Sequence, residues 1–357
     1  MGKDKKNKVL MSGNEAIAEG ALQAGCLFYA GYPITPQNEL IGYMSVHMFE
    51  KNGVFIQAES EIAAINMVYG ASAAGVRAMT SSSSPGISLK QEGISYIAGA
   101  ELPAVIVNIM RAGPGLGNIW PAQSDYFQAT RGGGNGEYRC IVLAPASVQE
   151  SFDLMSTSFG LADKYRIPVI VLGDGMLGQM MEPVQLPVAS CQLPGKTKKP
   201  WALTGCKGRE QNIVKSFYMR EGDLEKFNLK LQGKYAQIMK NEQEYEEVDT
   251  KDAMIILVAY GSMARIAKSA VKFLRGKGIK AGLIRPITLW PFPVKAFQPR
   301  NRNICYLAVE MSYGQMVEDV KLAVCGKAKV AFLGRSGGGI PTEEEIINKA
   351  KTLSPKA

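Results

Sequence analysis

A chain of 357 residues with one histidine, His47, offers little to the chemistries that depend on imidazole. Serine–histidine triads and histidine metal sites are not expected, and His47 itself reads as a structural residue on an amphipathic segment. The six cysteines (Cys26, Cys140, Cys191, Cys206, Cys305 and Cys325) stand far apart with no C-x-x-C pair. Zinc and an iron–sulfur cluster held by this chain alone are therefore not expected, and reduced, mostly buried thiols are. No apolar run reaches the length of a membrane span. The lysine-rich start, residues 1–8, has no apolar core of the secretory kind, so a cytoplasmic protein is expected. Neither Gly113-Pro114-Gly115-Leu116-Gly117 nor Gly132-Gly133-Gly134-Asn135-Gly136 fits G-x-G-x-x-G, which leaves a dinucleotide site without support. The formal charge is +9. Its lysines are scattered, apart from the first residues and residues 196–199, and no zinc-finger or aromatic RNA-binding motif accompanies them. That pattern suits a solvated surface, an anionic substrate or an acidic partner better than nucleic acid.

What is present is an alternation. Ser12-Gly13-Asn14-Glu15 predicts a capped helix to Ala24. Strands are predicted over 26–32, 54–58, 76–81, 104–110 and 167–172, with helices over 60–75, 89–99 and 147–164. Such alternation implies parallel strands with crossover helices, an α/β fold. Three segments are expected: a larger α/β domain over 1–190, a linker and helical arm over 191–250, and a smaller α/β domain over 251–357. In the arm, Leu224, Phe227, Leu231, Tyr235 and Ile238 recur at helical spacing. The last segment carries strands over 253–260, 280–284, 304–309 and 329–333 and helices over 263–275 and 316–324.

Several strand ends carry chemistry. Glu61 follows Gln57-Ala58-Glu59-Ser60 at the mouth of an uncharged, small and apolar helix. A poorly solvated carboxyl there is equipped to hold or donate a proton; the alternative is a charge that merely suits the helix dipole. In Gly31-Tyr32-Pro33-Ile34-Thr35-Pro36 two prolines fix the backbone around the Thr35 hydroxyl, or simply build a rigid turn. Ser81-Ser82-Ser83-Ser84-Pro85-Gly86 reads as an ordered serine loop able to hold an anion or the edge of a heteroaromatic ring. Arg111, ending the strand over 104–110, suits a bidentate carboxylate clamp or an internal ion pair. Gly173-Asp174-Gly175 is similar to the start of the signature that holds thiamine diphosphate through a divalent metal. The asparagine that signature needs some two dozen residues later is missing, so the segment reads as a turn.

Taken together, Gly13-Asn14-Glu15-Ala16, residues 31–36, 57–64 and 81–86, Glu101-Leu102-Pro103, Arg111-Ala112-Gly113-Pro114 and Ala259-Tyr260-Gly261-Ser262 resemble the alpha subunit of 2-oxoacid:ferredoxin oxidoreductases. The wording of residues 81–92 is most similar to the branched-chain, 2-oxoisovalerate type; the 2-oxoglutarate type has a different serine/threonine–glycine version. The resemblance implies a pyrimidine-binding domain of the thiamine-diphosphate fold, a parallel sheet flanked by helices, plus a smaller transketolase C-terminal-like α/β domain. It implies oxidative decarboxylation of a branched-chain 2-oxoacid to its acyl-CoA. Thiamine diphosphate would be shared with a beta subunit that holds the diphosphate and Mg2+. Iron–sulfur clusters would sit on a further subunit, with ferredoxin, coenzyme A and the 2-oxoacid as the remaining partners. Glu61 would be the catalytic proton partner of the cofactor ring. Pro33, Ser83 and Ser84 would line the cofactor, and Thr35 and Arg111 would bind substrate. No metal ligand is expected on this chain. Rival readings are the 2-oxoglutarate or pyruvate type, a non-catalytic scaffold subunit, and a basic nucleic-acid-binding protein, against which the scattered lysines speak.

Overall fold

The computed structural model describes residues 8–187, 199–297 and 304–353. Cys191, residues 1–7 and the lysines at 196 and 198 lie outside the described residues. Strand β1 (Lys8–Ser12) leads into α1 (Gly13–Gln23). Ser12 Oγ accepts from the Glu15 N–H at 3.2 Å, and the Glu15 carboxylate accepts from the Ser12 N–H at 2.8 Å. This is the reciprocal cap that Ser-Gly-Asn-Glu predicts.

There follow β2 (Phe28–Gly31), α2 (Asn38–His47), β3 (Val54–Gln57), α3 (Glu61–Ala73), β4 (Ala78–Ser82), α4 (Ser84–Gly99) and β5 (Ala104–Met110). Next come α5 (Tyr126–Arg131), β6 (Ile141–Leu143), α6 (Val148–Tyr165), β7 (Pro168–Asp174), α7 (Gly175–Gln179) and β8 (Met181–Gln185). The arm helix is α8 (Asp223–Asn241). Beyond it lie β9 (Tyr245–Val248), β10 (Ile255–Val258), α9 (Gly261–Gly276), β11 (Ala281–Pro286), β12 (Thr288–Trp290), β13 (Cys305–Glu310), α10 (Met316–Val324), β14 (Lys329–Gly334) and α11 (Glu343–Leu353).

Among the described residues the larger sheet runs β12-β6-β7-β5-β4-β2-β3, parallel except for β12. Its central strands β5 and β7 are buried along their whole length, which is why they read as continuous apolar runs. The two-residue period of a strand divides β5 between two cores. Val105, Val107 and Ile109 pack with Ile17 of α1, Leu40 and Met44 of α2 and Phe159 of α6. Ala104, Ile106 and Met110 belong to the core that holds Ile65 and Val68 of α3 and Ile94 and Ile97 of α4. The smaller sheet runs β14-β13-β10-β11-β9. Leu231, Tyr235 and Ile238 bury one face of α8, and the Tyr235 ring meets Trp290 edge-on at 5.9 Å.

The chain crosses the expected boundary at 250 twice. Strand β9 joins the smaller sheet from before it, and β12 returns from beyond it to pair with β6 of the larger one. Two readings need correction. The serine segment is not a loop: Ser81 and Ser82 close β4, Ser83 is the N-cap of α4, and the helix starts at Ser84 with Pro85 in its first turn, where a missing N–H costs nothing. The Gly173-Asp174-Gly175 segment is not a free turn either, because Asp174 ends β7 and caps α7. Strands β6 and β12, three residues each, are too short to show a period, and with α11 they are elements that the sequence pattern does not announce. Among the described residues no helix is long and apolar enough to cross a membrane. His47 ends α2 against the Tyr43 ring and Glu50.

Candidate active site

Parallel pairing places the carboxyl ends of β2, β3, β4, β5 and β7 along one edge of the larger sheet, where open α/β sheets bind ligands. The motifs at residues 31–36, 57–64, 81–86, 111–114 and 173–175 follow those ends. Glu61 is the first residue of α3, whose N-cap Ser60 accepts from the Ala63 N–H at 3.2 Å. Its side chain is only 5% exposed, whereas Glu59, two residues earlier, is exposed. The carboxylate accepts no hydrogen bond among the described residues. It lies over Gly86 in the first turn of α4, where an added Cβ would stand only 2.0 Å from Ser82 Oγ and 2.4 Å from Glu61 Oε1, so that something must shift. Glu61 Oε1 is the end of a movable side chain, but Ser82 Oγ sits one bond from its own Cβ in a fully buried residue. Gly86→Ala is therefore expected to cost about 1–3 kcal/mol of stability, and, by displacing the carboxylate, to lower turnover by about 100-fold. Denaturation and steady-state kinetics on the same variant separate the two effects.

Behind this pair is Lys90 of α4, with no exposed surface. Its Nζ donates to the Glu61 main-chain oxygen at 3.4 Å. Burial pushes the ammonium down from 10.5 to about 8, and the field of Glu61 opposes that fall.

The four serines have different fates. Ser81 Oγ is engaged with Gln37 Oε1 and with the Tyr29 hydroxyl, each at 2.6 Å. Ser82 Oγ and Ser83 Oγ are buried and have no partner among the described residues, as is Thr80 Oγ1. Ser84 Oγ is spent within the protein, on Asp125 Oδ2 at 2.6 Å and on the Arg111 N–H at 3.0 Å. Burial holds the Asp125 carboxyl above its ordinary range, while hydrogen bonds from Ser84 and Asn108 pull the other way.

Arg111 is 7% exposed. Its Nη1 donates to the Thr35 carbonyl at 3.0 Å and its Nη2 to the Leu116 carbonyl at 3.1 Å, while Nε has no partner among the described residues. No carboxylate pairs with it among the described residues, so the internal ion pair is not what occupies it. Thr35 and Arg111 are thus brought together. The first turn of α4 joins them to Glu61, through Ser84 on one side and Gly86 on the other. Pro33 is exposed beside Tyr32, and the structure does not tie it to this group. A cleft of about 510 Å³ opens beside Thr35, lined by Trp120, Pro121, Met176 and Ile340 among others.

Asp174 is fully engaged. Oδ1 accepts from the Met176 and Leu177 N–H groups, each at 3.1 Å, and from Ser262 Oγ at 2.7 Å; Oδ2 accepts from the Ser262 N–H at 3.3 Å. It fastens the end of β7 to the start of α9.

A family model described as "Pyruvate flavodoxin/ferredoxin oxidoreductase, thiamine diP-bdg" matches residues 19–226, and one described as "Pyruvate:ferredoxin oxidoreductase core domain II" matches residues 253–346. Ketoisovalerate oxidoreductase subunit VorB of Methanothermobacter marburgensis is 52% identical over 346 residues, which cover 97% of each chain. The chain belongs to the 2-oxoacid:ferredoxin oxidoreductase family. The 2-oxoglutarate synthase subunit KorA of Archaeoglobus fulgidus is 40% identical over 332 residues, 91% of this chain and 94% of that one. The solved 2-oxoglutarate:ferredoxin oxidoreductase from Magnetococcus marinus, with 2-oxoglutarate, coenzyme A and succinyl-CoA bound, matches with a TM-score of 0.88 at 26% identity. The match covers 98% of this chain and 66% of that one. A split-gene transketolase, TM-score 0.57 at 12% identity, shares the fold alone.

Within this 2-oxoacid oxidoreductase subunit, three site residues are not singled out by the sequence. Gly86 reads only as the end of a motif, and its role depends on how closely α4 passes α3. Lys90 sits between Leu89 and Gln91 and looks like any lysine on a helix surface. Asp125 has no distinguishing neighbour in sequence.

Proposed function

We propose that this chain is the alpha subunit of a 2-oxoacid:ferredoxin oxidoreductase acting on 2-oxoisovalerate and related branched-chain 2-oxoacids, and that it encloses the aminopyrimidine half of thiamine diphosphate. The observation that carries this reading is the Glu61 side chain, 5% exposed and accepting no hydrogen bond among the described residues, over the bare backbone of Gly86. The branched-chain assignment rests on the 52% identity to a ketoisovalerate oxidoreductase subunit, against 36–40% for 2-oxoglutarate synthase subunits.

The residues fit a nitrogen heterocycle. The Glu61 carboxyl lies close to the Ser82 hydroxyl, and both Ser82 and Ser83 hydroxyls are buried with nothing to bond among the described residues. When bound, thiamine diphosphate supplies a nucleophilic carbon for the 2-oxo carbonyl and an electron sink for decarboxylation. Glu61 would hold or deliver a proton at the ring nitrogen N1′, and Ser83 would offer its hydroxyl to the ring edge. Ser84 would act at one remove, by fixing Asp125 and Arg111. Arg111 and Thr35 would bind the substrate carboxylate and carbonyl. The diphosphate and Mg2+ fall to a beta subunit in this reading, because both oxygens of Asp174 are already committed.

A partner chain is also suggested by the outer faces of the two helices that frame Glu61. Ile62, Asn66 and Gly70 of α3, with Leu89 and Tyr96 of α4, contribute exposed surface whose one charge on these helices' outer faces is Glu92. Iron–sulfur subunit, ferredoxin and coenzyme A complete the proposed assembly. A cytoplasmic setting suits the five described cysteines, all of them free.

The test is co-purification of the chain with its neighbours, then assay of acceptor reduction with coenzyme A and 2-oxoisovalerate, 2-oxoglutarate or pyruvate. The highest kcat/KM is expected with 2-oxoisovalerate; a preference for 2-oxoglutarate would overturn the substrate assignment. In the same assay Arg111→Met is expected to raise KM about tenfold or more, the loss of a charge-assisted clamp. An unchanged KM would remove Arg111 from substrate binding.

A further inference from the structure

A fully buried lysine without a carboxylate partner is costly, since nothing nearby repays the loss of water from its charge. Lys90 is such a residue among the described residues. Its one hydrogen bond there is the long contact with the Glu61 carbonyl. The electrostatic surroundings are equally sparse. Strands β4 and β5 carry no charge, α3 carries none but Glu61, and on α4 the exposed Glu92 is bonded to the Tyr96 hydroxyl at 2.6 Å. Glu61 is the one charged group whose field registers on Lys90 among the described residues. One helical turn separates Lys90 from Gly86, so the same face of α4 passes first under the Glu61 carboxylate and then under its main chain. A leucine or methionine would fill the space without the electrostatic penalty.

Building on the proposed role of Glu61, we propose that Lys90 is a positioning residue for that carboxyl: its ammonium holds the first turn of α3 through the Glu61 carbonyl and sets a positive charge behind the carboxyl that serves the ring nitrogen. No bond is made or broken by Lys90. Its charge balances the negative charge left on Glu61 when the proton moves away. The coupling is reciprocal, because whatever neutralises Glu61 also loosens the proton on Lys90.

The reconstituted complex is assayed from pH 6 to pH 10 with the wild-type chain and with Lys90→Met and Lys90→Arg. Wild-type kcat is expected to fall as pH rises through about 8, where Lys90 loses its charge. Lys90→Met is expected to lower kcat about tenfold at neutral pH, with KM little changed and the alkaline limb gone, as expected for one pKa unit of lost bias. Lys90→Arg, which stays charged, is expected to carry the rate to higher pH. A Lys90→Met complex with the wild-type rate and pH profile would overturn the proposal.

A second readout needs no turnover. In the full chain labelled with 13Cε-lysine, the resonance absent from Lys90→Met should titrate near 8 and move to lower pH in Glu61→Gln. The same midpoint in both chains would refute the coupling whatever the enzyme does. Conversely, full activity in Glu61→Gln with an intact Lys90 shift would sink the role given to Glu61 while leaving the contact in place.

Discussion

Glu61→Gln is expected to lower turnover with 2-oxoisovalerate by roughly 10²–10⁴-fold, the range for loss of a positioned proton donor, while the complex still assembles. Glutamine has nearly the same shape, so it should rest over Gly86 and leave the Ser60 cap untouched. What it cannot do is exchange a proton with a ring nitrogen. The wild-type carboxylate has no hydrogen bond to lose among the described residues, but the buried Lys90 loses the one opposite charge whose field reaches it, so the folded chain should be modestly less stable. The measurement is single-turnover acceptor reduction beside a denaturation curve. Activity within tenfold of wild type would take the catalytic role away from Glu61, and a scaffold subunit would become the better reading.

Asp174→Ala is expected to have the largest effect on stability. It removes the acceptor of two backbone N–H groups on α7 and of both donors of Ser262. Buried donors left unpaired cost about 1–3 kcal/mol each, so a loss of about 3 kcal/mol or more is expected in chemical denaturation. A loss below about 1 kcal/mol would mean that water replaces the carboxylate at no cost. Asp174→Asn provides the control. Burial holds the Asp174 carboxyl above its ordinary value, with the hydrogen bonds from Ser262, Leu177 and Met176 opposing. Between the ordinary and the raised value the native state therefore binds more protons than the unfolded chain, so stability falls as pH rises through that acidic window. The asparagine variant should lose that slope.

Much of this site is legible in the amino-acid sequence because parallel strands announce themselves. The runs over 54–58 and 104–110 are largely apolar and that over 76–81 is strand-like, and a residue of chemical interest follows each one. Parallel pairing then does the assembly, since it brings every such end to one edge. Glu61 and Arg111 are legible for that reason. The difference between Ser83 and Ser84 is not. One residue of helix phase turns the first hydroxyl into an unpartnered group and ties the second to Asp125. Nor is Lys90 legible, because the burial of a lysine depends on the approach of α3, which no local pattern records. A division near residue 250 overlooks β12, whose three residues carry no period to read.

That returning strand has a consequence for how the gene can be handled. A fragment cut at residue 250 would leave the outer edge of β6 without its antiparallel neighbour and would deprive Asp174 of Ser262. Bare sheet edges recruit other chains. The larger sheet should therefore aggregate when expressed by itself, and chimaeras that swap the C-terminal part between relatives should fail unless residues 288–290 travel with the sheet they complete. In genetic terms the two halves are one unit of inheritance, although each resembles a separate family module.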